Sequence, residues 1–454
     1  MRSIVVGGLA ALPLQWFLLA ESPAGDLRLH QLAAVILTAF IVFRFGLPRL
    51  ERGVRGAQLF ILANVYMLIL WVALNVFNGL AMTQPIKQTS FLLTFIAVTA
   101  LFYFAVREAD NALIDALRWT ATVCVGVLIA AFGYSMLSNG VNPIDVLQRS
   151  IEAGDPNILQ RELFRSSFVG FGFDAEEARG NLRHEVFGGL LFTMYVSSWA
   201  ATRRPLTIAR QRNIHRAAMV AGSLLLLISL SRSILVAAAI WPLASFLRAM
   251  LTGRVSARQQ LAVAGGLIGV AILAITGFLE VLWTKFTEDT KSYSLREDLI
   301  SLALQRISEN FWTGGVDTER TSAHNFVLDM WQRGGIFVGL PAVFIFLFIS
   351  FLWLRLLLRA RTIPADQFVL VAAMALPCVR LVTQGGGSLQ IVEWVTLAFV
   401  IGILAASRET SEAGSEPANP TEADQLAALL SPTQAVALKG LSGGQGLSDQ
   451  RNAT

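Results

Sequence analysis

Long apolar runs fill most of the chain, and each has roughly the length of one membrane crossing. A hydrocarbon core of about 30 Å is crossed by roughly 17 to 25 consecutive apolar residues in a helix. We therefore predict an all-α polytopic membrane protein with about 12 transmembrane helices. The predicted spans are residues 3–20, 31–46, 58–80, 91–106, 119–137, 185–201, 217–231, 233–251, 261–283, 336–358, 367–383 and 391–407.

The composition supports this fold class. Of the 454 residues, 54% are hydrophobic and only 15% are charged, whereas soluble domains carry about 25% charged residues. This balance excludes a soluble enzyme, a disordered scaffold and a small domain held by disulfides. The net charge of +5 does not predict a nucleic-acid partner, because the basic residues lie between the apolar runs. Cys124 and Cys378 lie within such runs, so neither a disulfide nor a zinc site is expected.

The positions of Lys and Arg in the short loops predict the orientation, since these residues concentrate on the cytoplasmic side. With the N-terminus in the cytoplasm, the short outer loops hold little more than Arg28 and Lys87. Two long connections, residues 138–184 and 284–324, then face outward. The arginines placed inside are Arg44, Arg49, Arg52, Arg55, Arg107, Arg118, Arg203, Arg204, Arg210, Arg212, Arg216, Arg248, Arg254, Arg258, Arg355, Arg359 and Arg361.

The two ends of the chain differ from its middle. The first apolar run is compatible with a cleaved signal peptide, because the small residues Ala20 and Ala24 follow it, but the number of remaining runs favours an uncleaved span. The tail 410–454 is rich in Ser, Glu, Gly, Pro and Ala, so we predict that it is disordered and cytoplasmic. Residues 1–409 form the predicted transmembrane domain.

Arg232 is the first polar residue placed where a membrane should exclude charge. It lies in the sequence Ser229-Leu-Ser-Arg-Ser233, with almost no loop between two spans, so it is predicted at the tip of a tight helical hairpin on the outer side. Two interpretations stay open. The side chain reaches the lipid headgroups, as arginines near helix ends usually do, or its guanidinium binds phosphate oxygens.

The second long loop contains a predicted short amphipathic helix on the membrane surface. Ser294 and Glu297 form a capping box, and apolar residues then repeat at helical spacing as far as Ile307. Arg296 is thereby placed in the first helical turn, where a cation gains nothing from the helix dipole. It is either an ordinary solvated arginine or one held there to bind a ligand.

His324 lies where this loop meets the apolar helix that begins at Phe326. An imidazole with an unperturbed pKa near 6.5 accepts a proton at neutral pH, so His324 is a candidate general base. The alternative is a capping or interface residue. Asn325, beside it, is a candidate substrate-binding residue.

Other polar residues belong to the predicted outer side of the membrane or to the spans. Arg183 and His184 open the sixth span and are candidates for lining the same site. Arg380 lies in the eleventh span and Glu393 in the twelfth, where opposite charges most often neutralise each other. Arg380 is kept as a candidate substrate-binding residue.

The helix after His324 carries two further patterns. Asp329 and Arg333 are four residues apart, so they are expected to pair on one face. Gly334, Gly335 and Gly339 are expected to permit close helix packing. The sequence has no Gly-rich phosphate loop and no metal-ligand spacing within the spans, so we predict no cofactor and no obligatory metal.

Three segments carry a family resemblance when taken in order. They are Ser229-Leu-Ser-Arg-Ser233, the helix of Arg296 ending in Trp312-Thr-Gly-Gly315, and Ala323-His-Asn-Phe-Val-Leu-Asp-Met-Trp-Gln-Arg-Gly-Gly335. Together they resemble the O-antigen ligase and polymerase superfamily of bacterial inner-membrane proteins. The resemblance covers roughly residues 180–360.

The resemblance implies a glycosyltransferase that takes a glycan from undecaprenyl diphosphate at the periplasmic face and joins it to an acceptor hydroxyl. The acceptor is a glycan or the lipid A core, so ligase and polymerase both stay open. The matching motifs give catalytic roles to Arg232, Arg296 and His324. Arginines stabilise the charge on the departing diphosphate, and direct attack by the hydroxyl inverts the anomeric centre without a metal.

Three other functions remain possible from the sequence. A twelve-helix secondary transporter is the main alternative, although it would place its buried charges near the membrane midplane. A metal-dependent glycosyltransferase would use a carboxylate of the first outer loop, where Glu21 and Asp26 are available. A structural partner of a polysaccharide export complex would leave the outward arginines unexplained.

Overall fold

The computed structural model describes residues 2–12, 14, 17–20, 27–46, 57–80, 82–159, 162–163, 182–253, 257–287, 290–316, 318, 321–383 and 389–415. Two compact units are present, Met1–Ala406 and Ser407–Thr454. Of the second unit only the end of the last helix is described, so the predicted disorder of the tail concerns residues almost wholly outside the described ones.

The described residues are almost entirely helical. One short antiparallel hairpin, formed by β1 (Leu18–Ala20) and β2 (Leu27–Arg28), accompanies the helices. The helices are α1 (Arg2–Ala11), α2 (Leu29–Phe45), α3 (Ala57–Phe77), α4 (Thr83–Arg107), α5 (Asn111–Leu117), α6 (Thr120–Asn139), α7 (Pro143–Glu152), α8 (Pro156–Leu159), α9 (Leu182–Arg203), α10 (Ala209–Ile228), α11 (Arg232–Leu251), α12 (Ala257–Ile275), α13 (Phe278–Thr287), α14 (Thr290–Glu309), α15 (Phe326–Leu358), α16 (Val369–Ala373), α17 (Ala375–Thr383) and α18 (Ile391–Ser415).

Six helices among the described residues are long and apolar enough to cross a membrane. A seventh crossing is possible if Ala264–Ile275 and Phe278–Thr284, which meet at 86°, count as one broken span. The prediction of a helical protein with membrane-spanning helices is therefore confirmed. The number of 12 spans is not confirmed, because the other predicted spans fall on shorter or less apolar helices. The six are Ala57–Phe77, Gln84–Arg107, Asn111–Ser138, Arg232–Leu251, Phe326–Leu358 and Ile391–Arg408.

The first predicted span is not one helix. Helix α1 ends at Ala11, and the chain then enters the hairpin of β1 and β2. Pro13 follows the helix in the sequence, and a proline disfavours a continuous helix because it lacks an amide donor and its ring clashes with the carbonyl four residues earlier. Helix α1 packs closely on α2, since a Cβ at Gly8 would lie 2.8 Å from Leu37.

Helices α4, α9 and α18 form the interior of the bundle. Large aromatic side chains of these helices are buried and pack edge to face, as Phe102 does with Trp199 and with Phe399 at ring distances of 6.0 and 4.8 Å. Helix α18 approaches α4 closely at Gly402, where an added Cβ would lie 2.5 Å from the carbonyl oxygen of Thr99. The core therefore fixes α18 against α4 and α9.

The starts of α9, α11 and α18 lie at one end of the bundle, which we call the site end. A Cβ at Gly188, in the second turn of α9, would lie 3.1 Å from Val392 of α18 and 3.3 Å from Ile234 of α11. Only the three residues Ser229–Ser231 join α10 to α11, so the predicted tight helical hairpin is present. Leu230 of this connection has a left-handed backbone with φ of 49°.

The opposite end of the bundle is rich in arginines. Arg118 and Arg204 both contact Asp115, with N–O distances of 3.1 and 3.2 Å. Arg203 forms an ion pair of 2.9 Å with Asp366. These pairs join the end of α9 to α5 and to the segment before α16. Several arginines that the sequence placed on one side of the membrane thus share one end of the structure.

Helix α15 is broken at Gly334 and Gly335, where φ is −132° and 57°. The connection before the helix fills the break: the Gly315 amide donates to the carbonyl of Arg333 at 2.9 Å, and the Ile336 amide donates to the carbonyl of Phe311 at 2.9 Å. The two glycines were expected to allow close packing between helices. They instead allow a loop backbone to enter the helix, while Gly339 packs on the ring of Trp331, 2.6 Å from an added Cβ.

Candidate functional site

The residues before α15 are held by the first turns of that helix. Asn325 is the N-cap of α15, and its Oδ1 accepts hydrogen bonds from the amides of Val327 and Leu328 at 3.0 and 3.2 Å. A cap of this kind satisfies backbone donors that the helix itself leaves unpaired. Asn325, predicted to bind substrate, thus has a structural role that needs no substrate.

His324 has an unusual backbone. Its φ of 54° is in the left-handed region, which a residue other than glycine rarely adopts. The His324 amide donates to the Oγ of Ser322 at 3.0 Å. Ala109 and Leu230 share this conformation, and like His324 each directly precedes the N-cap of a helix.

Two guanidinium groups lie close enough to His324 to affect its charge. Burial, then Arg296, then Arg380 lower the pKa of His324 below its ordinary value of 6.5. The Nδ1 atom of His324 is buried and has no hydrogen-bond partner among the described residues. At neutral pH the ring is therefore uncharged, which is the form that accepts a proton.

Arg296 reaches this site from α14. The helix begins at Thr290, four residues before the predicted cap, so Ser294 and Glu297 are not a capping box. Its less exposed positions recur at three- and four-residue intervals, from Arg296 through Ala303 to Arg306. Arg306 donates to the Oγ1 of Thr321 at 2.7 Å, which ties this face to the segment that carries His324.

Arg380 is part of a buried cluster of three charges. Its Nε donates to Oε1 of Glu393 at 2.8 Å, and its Nη2 lies 3.4 Å from Oε1 of Glu185. All three side chains are at most 4% exposed. The expected pair of Arg380 and Glu393 is present, and Glu185 of α9 is a third member that the sequence did not indicate as a partner. The cluster joins α9, α17 and α18 at the site end.

Arg232 begins α11 at the site end. Ser229 and Ser231 beside it are buried, and the Ser231 amide donates to the Oγ of Ser229 at 3.3 Å. A cation in a first helical turn is disfavoured by the helix dipole. Arg232 shares an end of the bundle with Glu185 and Arg380, but the effects that act on His324 come from Arg296 and Arg380.

Arg183 and His184 lie in the first turn of α9, within one turn of Glu185. Their backbone therefore belongs to the site end, and their side chains lie outside the described part of the chain. Glu21 and Asp26, the candidates for a metal-dependent reaction, also lie outside it. Within the described residues no group of three or more His, Cys, Asp or Glu side chains is arranged to hold a metal ion.

Asp329 is a buried site residue that makes contacts beyond the expected pairing with Arg333, whose charge acts on its carboxylate. Its Oδ2 accepts from the Oγ of Ser322 at 2.5 Å, and its Oδ1 accepts from the amide of Ala323 at 2.7 Å. Arg333, its expected partner, donates through Nε to Thr318 at 2.5 Å, and its guanidinium lies 5.0 Å from the ring of Trp71.

Comparison with known proteins gives no further guide to this site: no protein-family model and no curated protein matches the chain.

Proposed function

We propose that the protein is a glycosyltransferase of the O-antigen ligase or polymerase type. It transfers a glycan from undecaprenyl diphosphate to the hydroxyl of an acceptor glycan or of the lipid A core. The observation that carries this proposal is that the positive charges of Arg296 and Arg380 act on the partly buried imidazole of His324. A proton acceptor next to cations is what attack on a phosphate-linked sugar requires.

The charge at the site end favours an anionic donor. Helices α9, α11, α15 and α18 begin on this side of the bundle, and each helix start carries a partial positive charge. Arg232 and Arg296 add full charges to it. Arg380 adds no net positive charge, because Glu185 and Glu393 contact it and together carry two formal negative charges, and we assign it mainly to holding three helices together.

The proposed reaction is a single displacement. The acceptor oxygen attacks the anomeric carbon while the bond from that carbon to the diphosphate oxygen breaks. His324 takes the hydroxyl proton, and Arg296 and Arg232 stabilise the negative charge that develops on the departing undecaprenyl diphosphate. The anomeric configuration inverts. The arginines supply the positive charge, so the proposal requires no metal and no cofactor.

The remaining assignments follow from this chemistry and from the loop charges. We assign Arg183, His184 and Asn325 to binding of the donor or acceptor beside His324. We place the protein in the bacterial inner membrane, with membrane lipids around the bundle, the site end facing the periplasm and both termini in the cytoplasm. The arginine-rich opposite end agrees with this orientation, since arginines concentrate on the cytoplasmic side.

Deletion in the native host, followed by gel display of the surface polysaccharide, tests the proposal. Unattached full-length chains are the result expected of a ligase, and single repeat units are expected of a polymerase. Re-expression of the wild-type chain restores the pattern, and re-expression of His324→Ala does not. An unchanged polysaccharide in the deletion strain contradicts the proposal.

A secondary transporter is the second candidate, and the broken helix α15 favours it, because transporters bind substrates at broken helices. The break here is occupied, however: the amides of Gly315 and Val316 donate to the carbonyls of Arg333 and Gln332. Those carbonyls are not open to a substrate. Substrate uptake by vesicles that contain the purified protein, with no glycan transfer, would select the transporter.

A further inference from the structure

The segment that carries His324 is held by a chain of hydrogen bonds that ends on one carboxylate. The His324 amide donates to Ser322 Oγ at 3.0 Å, and that same hydroxyl donates to Asp329 Oδ2 at 2.5 Å. The other oxygen, Oδ1, accepts from the amide of Ala323 at 2.7 Å. Both oxygens of Asp329 thus fix the two residues that precede the imidazole.

Asp329 is itself placed rigidly. Its amide donates to the carbonyl of Asn325 at 3.0 Å, so it lies one turn into a helix whose start is capped by the Asn325 side chain. The Asp329 side chain is fully buried. Burying a carboxylate is costly unless several donors satisfy it, and Asp329 has Ser322, Ala323 and the more distant amide of Gln332, at 3.4 Å.

These hydrogen bonds hold the left-handed backbone conformation of His324. A left-handed conformation is uncommon for any residue other than glycine, and here the bonds to Ser322 and Asp329 hold the turn that contains it. Loss of these bonds would therefore change the position of the imidazole.

We infer that Asp329 is the positioning residue of His324: through Ser322 and Ala323 its carboxylate fixes the left-handed turn that sets where the imidazole lies. The catalytic consequence rests on the proposed function, but the positioning does not. Asp329 touches no substrate in this role. An asparagine at position 329 cannot make both bonds, because its side chain has one acceptor oxygen, whereas the Ser322 hydroxyl and the Ala323 amide donate to separate oxygens of Asp329.

The test compares Asp329→Asn with the wild-type protein in lipid nanodiscs by chemical modification of histidines. Diethyl pyrocarbonate modifies imidazoles, and peptide mass spectrometry measures the rate at each histidine. We expect His324 to react several-fold faster in Asp329→Asn, because release of the turn exposes the ring, while the rates at His30 and His215 stay unchanged. The control is Asp298→Asn, which removes an exposed carboxylate on α14 and should change no rate.

An unchanged His324 rate in folded Asp329→Asn overturns the inference, whatever the protein catalyses. If Asp329→Asn does not fold, Asp329→Ser decides, because its shorter side chain has a single oxygen and cannot bond both Ser322 and Ala323, while the bond from the His324 amide to Ser322 stays possible. A faster His324 rate in folded Asp329→Ser supports the inference, and an unchanged rate refutes it.

Transfer kinetics then separate positioning from the proposed function. Displacement of a catalytic group by about 1 Å costs roughly 100-fold in rate, so Asp329→Asn should lower kcat by about that factor with the donor KM unchanged. Equal loss in kcat and rise in KM contradicts the inference. Failure of the wild-type protein to transfer any glycan refutes the proposed function, while the modification rates still decide the role of Asp329.

Discussion

Replacement of Gly335 by alanine should displace the connecting segment that is hydrogen-bonded to the break in α15. Gly335 has φ of 57° and ψ of −153°, a conformation that is almost restricted to glycine. An added Cβ would lie 2.1 Å from the carbonyl oxygen of Trp312 and 2.5 Å from the amide nitrogen of Thr313. Both contacts are with backbone, so no side-chain rotation relieves them, and the whole connection must move.

The expected loss in stability follows from the bonds that this movement breaks. Three backbone hydrogen bonds join the connection to the break, from the amides of Gly315, Val316 and Ile336. Each is worth about 1 kcal/mol, and the forced backbone adds about 1 to 3 kcal/mol. We expect a loss of about 4 to 6 kcal/mol, a large part of a typical stability of roughly 5 to 15 kcal/mol.

Thermal unfolding of the purified protein in detergent, followed by tryptophan fluorescence, measures this loss. Trp312 and Trp331 lie at the break and report on it directly. The Tm should fall by roughly 10 °C. The control is Gly265→Ala on α12, where no atom lies within 4 Å of the added Cβ and the change should stay within about 1 kcal/mol. A Tm for Gly335→Ala equal to that of the control would show that the hydrogen bonds between the connection and the break in α15 do not stabilise the protein.

Three further predictions concern the site. As the pH falls, kcat/KM for transfer should decrease with a midpoint below 6.5. Burial and the charges of Arg296 and Arg380 lower the pKa of His324, so the ring stays neutral to a lower pH. A midpoint at or above 6.5 contradicts this prediction. Arg380→Met should destabilise the protein by about 3 to 5 kcal/mol, because it leaves buried carboxylates uncompensated, and adding Glu393→Gln should restore part of the loss; equal Tm values for Arg380→Met and wild type would contradict it. Asn325→Ala should cost about 1 kcal/mol in thermal unfolding through loss of the helix cap. Asn325→Asp should keep the cap and the stability but lose transfer activity, because it removes the amide donor and adds a negative charge beside the anionic donor; full activity of Asn325→Asp would contradict the assignment of Asn325 to substrate binding.

The helical class and one local feature were predictable because they depend on residues close together in the chain. The tight connection at Ser229–Ser231 follows from two apolar runs with no polar loop between them. The prediction of one continuous span over residues 3–20 was wrong, because hydropathy alone does not take into account that Pro13 disfavours a continuous helix. The start of α14 was misplaced at Ser294, since a cap pattern also occurs inside helices.

The site was predictable as a set of residue types and not as a set of contacts. His324, Arg296 and Arg380 were indicated because polar residues within or at the ends of spans are scarce and costly, and such residues usually have a function. The partner Glu185 is 195 residues from Arg380, and no periodicity reveals which faces of distant helices meet. Asp329 had an obvious partner four residues away, and only the tertiary structure shows its bonds to Ser322 and Ala323.

Glycan transfer by the purified protein in lipid vesicles tests the central claim most directly. With undecaprenyl-diphosphate glycan and an acceptor hydroxyl, each glycan transferred should release one undecaprenyl diphosphate. His324→Ala and Arg296→Ala should abolish this transfer, and His215→Ala, at the other end of α10, should retain it. Full activity in His324→Ala and Arg296→Ala would show that the cluster at the site end does not perform the reaction.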